Sequence, residues 1–345
     1  MSPPPPRVEP DWRETVNYFP MTLVTGGTGF IGSHLVERML ELGMPVRCLV
    51  RDRRKPRHLA GLNVELAEGE LSTGAGLAGA LEGVDTVFHL AGVTKALRRP
   101  DYYSGNRDAT ANLLRACGKP AAIRRFVHVS TLAAVGPSPD GRALDETAEA
   151  HPVSHYGRSK WQAEELVRAS DIRAAAVILR PPVVYGPRDT DVLGVFRMAA
   201  RGLAVRIGQG ESYFSLIHVH DLVAGVLGAA DSGLGGASTY FLSNAEPVSW
   251  RAFSQAAGKA LGRGIGSVAV PYWMASVAGL AAEAASRLRG RPSILSREKI
   301  REARFPYWVC DSSRARADFG FAPRLSVQDG VAQTIEWYRQ AGWLA

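Results

Sequence analysis

The feature that most constrains this chain is a glycine-rich turn, Gly26-Gly-Thr-Gly-Phe-Ile-Gly32, between an apolar run at 21–25 and a helix-like segment at 30–42. Gly26 permits a tight turn, Gly29 lets the backbone approach a pyrophosphate, and Gly32 allows close helix–strand packing. The free N–H groups and positive dipole end of the predicted helix would face the same phosphates. This context predicts a dinucleotide site, and a glycine turn without a ligand is the simpler alternative. The predicted cofactor contacts here are Gly26, Thr28, Gly29, Phe30, Ile31 and Gly32.

Further short apolar runs follow at 46–50, 64–66, 84–90, 126–129 and 176–179, separated by turn residues and helix-like segments. Strands that alternate with helices predict an α/β fold with a Rossmann-type, doubly wound parallel sheet. In such a sheet the ligand lies at the carboxyl ends of the strands. After residue 180, prolines and glycines break the alternation, and Ala- and Gly-rich helical stretches follow.

The chain therefore divides into three predicted parts. Residues 1–20 include four consecutive prolines and no apolar signal core, so we expect a flexible extension and a cytoplasmic protein. Residues 21–180 form the dinucleotide-binding domain. Residues 181–345 form a smaller, mainly helical substrate-binding domain, from which segment 214–243 packs back onto the sheet.

Charge and cysteine content narrow the class of protein. The net charge of +8 suggests an anionic partner, but the arginines are scattered and the one dense basic run, 51–55, lies beside the predicted phosphate site. We therefore expect no nucleic-acid partner. Three widely separated cysteines without a CxxC pair exclude a disulfide scaffold and indicate a reducing compartment.

One uncharged stretch, 271–282, is too short to span a bilayer. The simpler interpretation is a helix packed at the substrate site. The alternative is a helix on a membrane surface, because Arg287 and Arg289 follow it and would suit anionic lipid.

The residue at the end of the second predicted strand indicates whether the cofactor is NAD or NADP. An acidic residue there would bind a ribose hydroxyl, and a basic residue would bind the additional phosphate of NADP. Arg51 offers a planar guanidinium that matches phosphate oxygens, and Asp52 beside it is the competing hydroxyl ligand. We expect NADP, with NAD as the alternative.

A second motif, Tyr156-Gly-Arg-Ser-Lys160, places a phenol and an ammonium one helical turn apart on the same face. A free tyrosine titrates near pH 10, which is too high for acid–base catalysis at neutral pH. A nearby ammonium and an oxidised nicotinamide would both favour the phenolate and lower this pKa. The alternative is a half-buried tyrosine with an unrelated surface lysine.

Two polar positions lie between these motifs. Ser130 and Thr131 follow a predicted strand, where a hydroxyl would hold a substrate oxygen beside Tyr156 or only cap the next segment. Asn106 begins a predicted helix and either anchors a water that relays protons to Lys160 or serves as an ordinary N-cap.

The order of motifs resembles the extended short-chain dehydrogenase/reductases. The similarity covers nearly the whole chain from residue 21 and rests on Thr25-Gly-Gly-Thr-Gly-Phe-Ile-Gly32, His89-Leu-Ala-Gly92, Asn106, Ser130-Thr131, Tyr156-xxx-Lys160, Arg180-Pro-Pro-Val-Val-Tyr-Gly-Pro187, Ile217-His-Val-His-Asp221 and Asp318-Phe-Gly-Phe-Ala-Pro323.

This resemblance implies a catalytic set of Asn106, Thr131, Tyr156 and Lys160, with Ser130 as the residue that a one-position shift would substitute for Thr131. It also implies a homodimer formed through the helix that contains Tyr156. The further cofactor contacts that it implies are Leu90, Ala91, Gly92, Tyr156, Lys160, Pro182 and Val183.

Departures from the family pattern separate its branches. Sugar-nucleotide dehydratases of the family carry Thr-Asp-Glu at the catalytic turn. This chain has Thr131-Leu-Ala there and therefore no carboxylate. UDP-galactose epimerases carry an Asn and an Arg where this chain has Val183 and Phe214. Both replacements suit an apolar substrate, and the resemblance to hydroxysteroid dehydrogenases and dihydroflavonol reductases implies alcohol–ketone interconversion.

Three hypotheses follow. The first is an NAD(P)-dependent oxidoreductase acting on an apolar alcohol or ketone. The second is an NAD-dependent sugar-nucleotide epimerase, in which the diphosphate would bind to Arg188, Arg197, Arg201 and Arg206. The third is a dinucleotide-binding protein without catalysis, which retention of both Tyr156 and Lys160 disfavours.

A pair of histidines raises the question of a metal. His218 and His220 would share one face of a predicted strand, but no third ligand is near in sequence. We therefore expect packing and no metal.

Overall fold

The computed structural model describes residues 21–118, 123–290 and 296–344, so the predicted extension 1–20 lies outside the described residues. Its strands are β1 (Met21–Thr25), β2 (Val46–Val50), β3 (Glu65–Glu68), β4 (Val84–His89), β5 (Arg125–Val129), β6 (Ala176–Arg180), β7 (Val183–Tyr185), β8 (Leu203–Ile207), β9 (Tyr213–Phe214), β10 (Leu216–His218), β11 (Ser238–Phe241), β12 (Val248–Ser249), β13 (Gly266–Val270) and β14 (Tyr307–Trp308).

The helices frame these strands, and short 3-10 turns connect several of them. The α-helices are α1 (Phe30–Glu41), α2 (Leu77–Ala80), α3 (Arg99–Tyr103), α4 (Ala109–Cys117), α5 (His155–Ala169), α6 (Leu193–Ala199), α7 (Val219–Asp231), α8 (Trp250–Leu261), α9 (Tyr272–Arg289), α10 (Arg297–Glu302), α11 (Ser313–Phe319) and α12 (Val327–Gln340).

Seven strands form the central sheet in the order β11-β6-β5-β4-β1-β2-β3. Every neighbouring pair in it is parallel. This confirms the predicted doubly wound α/β fold. The direction of winding reverses between β1 and β4, and such a reversal opens a crevice at the carboxyl ends of the strands.

Apolar strands are buried on both faces because helices cover both sides of the sheet. On one face, Leu35 of α1 and Val226 of α7 pack against strand residues such as Val24. On the other, Leu113 of α4 and Val167 of α5 belong to a second cluster. The sheet is therefore packed between helices on both faces, and the candidate site lies at the carboxyl ends of its strands.

The second half of the chain both returns to the sheet and builds its own core. Helix α7 packs against β5 and β6, and β11 pairs with β6, so most of the segment 214–243 lies on the sheet. Strand β9, at the start of that segment, instead pairs with β12 and β14. A separate apolar cluster joins α6, α8 and α12 through Phe196, Phe253 and Ile335.

Candidate active site

The glycine turn between β1 and α1 leaves no room for side chains. Gly26 has a φ of +79°, and a Cβ there would lie 2.7 Å from the Ala91 nitrogen. A Cβ on Gly32 would collide with the Gly26 carbonyl oxygen. Gly29 precedes α1 in an extended conformation, and no side chain caps the helix. Backbone N–H groups at this end therefore face a space that suits a phosphate group.

That space is a cavity of about 580 Å³ between the glycine turn, the end of β2 and the segment 189–191. The predicted cofactor contacts that line it are Gly26, Thr28, Gly29, Phe30, Ile31, Gly32, Arg51, Leu90, Ala91 and Gly92. The other predicted contacts, Asp52, Tyr156, Lys160, Pro182 and Val183, are not among its lining residues. Lys160 approaches it at Gly92, whose Cβ would lie 3.9 Å from Nζ. The residues present therefore fit a dinucleotide.

Arg51 and Asp52 have different surroundings at the end of β2. Arg51 lines the cavity. The Asp52 carboxylate instead accepts hydrogen bonds from the backbone N–H and side chain of Arg54, each at 3.0 Å, and these bonds lower its pKa. The Asp52 carboxylate, predicted as a competing ribose ligand, is thus bonded within its own loop. The sequence reasoning missed Arg57, a second basic residue that lines the same cavity.

A chain of buried hydrogen bonds links the ends of β1 and β4 to α4. Thr25 Oγ1 is 2.7 Å from His89 Nδ1, and His89 Nε2 is 2.9 Å from Thr110 Oγ1. Thr110 donates to the Asn106 carbonyl oxygen at 2.7 Å. Burial, together with the nearby Lys160, lowers the pKa of His89 to about 3, so this imidazole is neutral.

Asn106 does not begin a helix, which corrects the prediction from sequence. It lies in a π-helical turn, 104–108, that joins α3 directly to α4. Its Oδ1 accepts from the Val93 N–H at 2.7 Å, and its Nδ2 donates to Val93 O and to Ser159 Oγ, at 3.1 and 2.8 Å. The side chain therefore connects the segment that follows β4 to α5.

Helix α5 carries the tyrosine–lysine pair. Ser154 caps its first turn by accepting from the Gly157 N–H at 3.1 Å. Tyr156 lies in this turn, and Lys160 lies one turn later. The Lys160 ammonium donates to the Val129 carbonyl oxygen at 2.8 Å, at the end of β5. Burial lowers the pKa of Lys160 to about 8, and Glu164 opposes that change.

The two hydroxyls after β5 have different environments. Ser130 donates to Glu164 Oε1 at 2.5 Å, deep in the protein. Thr131 lies beside the Tyr156 phenol and favours its phenolate form. Its Oγ1 also accepts from the Ala133 N–H at 3.2 Å. The structure thus brings Thr131, but not Ser130, together with the tyrosine.

The pKa of Tyr156 lies above its ordinary value of 10.0, opposite to the expected direction, because burial disfavours the phenolate. Lys299 is the largest of the influences that lower it, followed by Thr131, while Glu302 and Asp191 raise it. Burial therefore outweighs the favourable influences of Lys299 and Thr131 on the phenolate.

Besides Arg57, sequence reasoning missed Lys299, which lies near the Tyr156 phenol. It lies in α10, whose Glu298 accepts from the backbone N–H of His155 at 2.7 Å and so fixes α10 to the start of α5. The Lys299 ammonium donates to Glu302 at 2.8 Å. The side chain is 48% exposed, and Glu302, followed by Tyr156, raises its pKa against the effect of burial. The only sequence signal was an unassigned charged run, 297–302.

A buried ion pair holds α5 against β6. Glu164 is fully buried and accepts from Arg180 at 2.6 and 3.0 Å. Burial opposes ionisation of Glu164, but Arg180, Arg168 and Ser130 together outweigh it and leave its pKa below the ordinary value. The carboxylate therefore remains charged and fixes the helix that positions Tyr156.

The two positions that suggested an apolar substrate are placed differently. Val183 is 44% exposed at the start of β7. Phe214 packs with the Trp250 and Phe253 rings of the C-terminal core, at centroid distances of 6.3 and 5.8 Å. Phe214 therefore contributes to folding, and Val183 stays available for contact.

The paired histidines are not on one strand face, which corrects another expectation. His218 ends β10 and its Nδ1 accepts from the His220 N–H at 3.4 Å, whereas His220 lies in the first turn of α7. Their rings meet edge to face, with centroids 4.8 Å apart. Burial lowers the pKa of His218 to about 3.

Comparison with known proteins shows which family and which relatives this chain is similar to. A model of the NAD dependent epimerase/dehydratase family matches residues 22–239. A ceramide reductase from Caulobacter vibrioides is 33% identical over 326 residues, which cover 93% of this chain and 95% of the relative. A 4-hydroxy-2-methyl-3-oxo-4-farnesyl-3,4-dihydroquinoline-1-oxide ketoreductase from Stigmatella aurantiaca is 31% identical over 339 residues, 93% and 96% of the two chains. The solved structure of gox2253 superposes with a TM-score of 0.76 at 29% identity, covering 95% and 100%.

Proposed function

Because the chain belongs to the NAD-dependent epimerase/dehydratase family, we propose that this NAD(P)-dependent oxidoreductase interconverts an alcohol and a ketone on an apolar small molecule. One observation carries the proposal. The Tyr156 phenol lies beside the Thr131 hydroxyl at the carboxyl end of the sheet, with the Lys160 ammonium one turn away at the edge of the glycine-lined cavity.

Each side chain has a distinct task in ketone reduction. Thr131 holds the substrate oxygen, and Tyr156 donates a proton to it as the carbonyl becomes an alcohol. Lys160, anchored on Val129, would add its positive charge to that of Lys299 and favour loss of this proton. The bound dinucleotide supplies the hydride that the carbonyl carbon accepts. Alcohol oxidation uses the same groups in reverse, with Tyr156 accepting the proton.

NADP is the proposed cofactor. Arg51 lines the cavity at the end of β2, where a basic group would bind the additional phosphate. Asp52 is occupied by Arg54. The glycine turn and the first turn of α1 would hold the pyrophosphate.

Support for an apolar substrate comes from two sources. Val183 is exposed where epimerases of the family carry an amide, so this position offers hydrocarbon and no hydrogen bond. The relatives named for ceramide and for a farnesyl-bearing quinoline act on molecules with long hydrocarbon chains.

Three of the four arginines predicted to hold the diphosphate in the sugar-nucleotide epimerase alternative already donate to protein groups. Arg188 donates to Glu37 at 2.6 and 2.9 Å. Arg206 and Arg197 donate to the backbone carbonyl oxygens of Gly210 and Trp343. A diphosphate would have to displace these partners.

A substrate panel tests the proposal. The purified protein with NADPH should reduce long-chain ketones and consume one equivalent of NADPH for each alcohol formed. The same protein should not interconvert UDP-, GDP- or dTDP-sugars. Epimerisation of a sugar nucleotide without net NADPH consumption would overturn the proposal in favour of the alternative.

A further inference from the structure

Helix α9 has its large apolar side chains on the outside. Trp273, Val277, Leu280 and Leu288 are 69%, 60%, 51% and 90% exposed. Their spacing places them on one face of the helix. Met274 adjoins this face, and Val268, in the strand that leads into α9, is also exposed. We call the four residues Trp273, Val277, Leu280 and Leu288 the α9 stripe.

The opposite face of α9 packs against the protein through Tyr272 and through small residues. Ala275, Gly279 and Ser286 are its buried positions. The contact with α10 is so close that a Cβ on Gly279 would collide with Ile300. An ordinary surface helix buries its large apolar side chains and exposes polar ones. The inversion in α9 leaves a continuous apolar surface in water, which marks an interaction site.

Positive charge surrounds the end of this stripe. Arg287 and Arg289 lie in the last turn of α9, and Arg301 lies in α10. In the part of the chain that the structure describes, none of these three guanidiniums forms an ion pair. Beside them is a cavity of about 770 Å³ whose wall also includes Arg98, Arg99 and Arg297, together with Asp101, Glu283 and Glu298.

We propose that α9 docks the protein onto the surface of an anionic lipid bilayer. The α9 stripe would enter the acyl boundary, with Trp273 at the interface, and the arginines would contact anionic headgroups. No helix in the described ranges is long and apolar enough to cross a bilayer, so α9 would lie in the plane of the surface. A second copy of the chain fits less well, because it would bring the same unpaired arginines.

The docked face is one helix away from the catalytic tyrosine. Helix α9 packs on α10, and α10 provides Glu298 to the start of α5 and Lys299 to the vicinity of Tyr156. Docking would therefore bring the cleft close to molecules that partition into lipid. It can be measured without any substrate, so its outcome is independent of the proposed reaction.

Vesicle co-sedimentation tests the docking. The full chain should sediment with vesicles of equal parts phosphatidylglycerol and phosphatidylcholine at low salt, and much less with phosphatidylcholine alone. The variant Val277→Ser/Leu280→Ser/Leu288→Ser should bind at least about tenfold more weakly. Its thermal unfolding and NADPH binding should match the wild type, because the replaced side chains are exposed.

Two double variants that remove the same positive charge at different places separate electrostatic docking through α9 from a general effect of net charge. Arg287→Gln/Arg289→Gln should lose at least about fivefold in binding to the anionic vesicles. Arg142→Gln/Arg339→Gln removes the same charge at exposed sites elsewhere and should bind as the wild type does. Wild-type protein that ignores anionic vesicles, or a stripe variant that still binds them, would overturn the proposal. The proposal would also fail if neither the wild type nor the stripe variant bound vesicles and the wild type were a dimer that the stripe variant converted to a monomer.

Discussion

At the scale of single residues, the two adjacent hydroxyl side chains after β5 have different surroundings and therefore different roles. Thr131 lies beside the Tyr156 phenol, and Ser130 points into the Glu164 ion pair. The sequence places both at the ligand edge of the sheet but does not say which one turns toward the tyrosine. Successive residues of an extended chain point in opposite directions, so only the register of β5 against its neighbours settles the choice.

Replacing these hydroxyls separately tests this assignment. Thr131→Ala should lower kcat for ketone reduction about a hundredfold or more, because the substrate oxygen loses a preorganised hydrogen bond. Ser130→Ala should leave kcat nearly unchanged and cost about 1 kcal/mol of stability, since a buried hydrogen bond is lost. Steady-state kinetics and urea unfolding measure the two effects. The opposite pattern would assign the catalytic hydroxyl to Ser130.

Lys299 acts on the tyrosine through charge, so its removal should change a pH profile. The Tyr156 pKa is already raised by burial, and loss of the Lys299 ammonium would raise it further and leave Glu302 unpaired. Phenolate is the form that accepts a proton in alcohol oxidation. In Lys299→Gln, the rise of kcat/KM for alcohol oxidation should therefore move to higher pH, with several-fold less activity at neutral pH.

The matched control is Lys259→Gln, which removes an exposed lysine from the last turn of α8. Its pH profile should overlay that of the wild type. An unchanged profile in Lys299→Gln would show that this ammonium has no influence on the proton transfer.

At the scale of elements, α5 is positioned by its ends and by one buried charge pair. The Ser154 cap fixes its first turn, Glu298 of α10 accepts from His155, and Glu164 pairs with Arg180 on β6. The first of these is a local sequence signal, whereas the other two join residues distant in the chain. The sequence therefore predicted the helix and its Tyr–Lys spacing but not what holds it in place.

Two neighbouring glutamates on α5 provide a test of that buried pair. Glu164→Gln should destabilise the protein by about 3 kcal/mol, because the Arg180 charge is left buried and uncompensated. Glu165→Gln removes an exposed partner of Arg168 and should change stability by less than about 0.5 kcal/mol. Urea unfolding gives both values. Equal, small losses would mean that the Glu164–Arg180 pair does not hold α5.

The helix around Asn106 shows a second limit of sequence reasoning. A π-helical turn at 104–108 has no composition of its own, so the pattern suggested a helix start where the structure has a continuous segment. The strands were easier to predict, because their buried apolar runs are bounded by glycines and polar turns. The predicted 46–50 run coincides with β2, and the 64–66 run overlaps β3.

At the scale of the whole molecule, the cofactor cavity joins distant parts of the sheet: the glycine turn, the end of β2 and the segment 189–191. The sequence predicted the first two, because each carries a local motif. It did not predict the approach of α10, and it left open whether the 271–282 helix packs at the substrate site or lies on a membrane surface. Those features depend on how the second half of the chain packs, and no motif encodes that packing.

The choice between NADP and NAD belongs to this scale, since it depends on which charge the assembled cavity presents. Arg51→Ala should raise the dissociation constant of NADPH at least about tenfold, through loss of a charge-assisted hydrogen bond. Binding of NADH should change little. Arg53→Ala, at an exposed neighbour that does not line the cavity, is the control. Equal losses for both cofactors would place Arg51 away from the additional phosphate.

Proton transfer by the Tyr156 phenol is the central claim, and the Tyr156→Phe variant tests it most directly. We predict that this variant binds NADPH with the affinity of the wild type, measured by cofactor fluorescence, and reduces the ketone about a thousandfold more slowly. Reduction at the wild-type rate by a variant that still binds NADPH would contradict the claim, because the reaction would then proceed without the phenol.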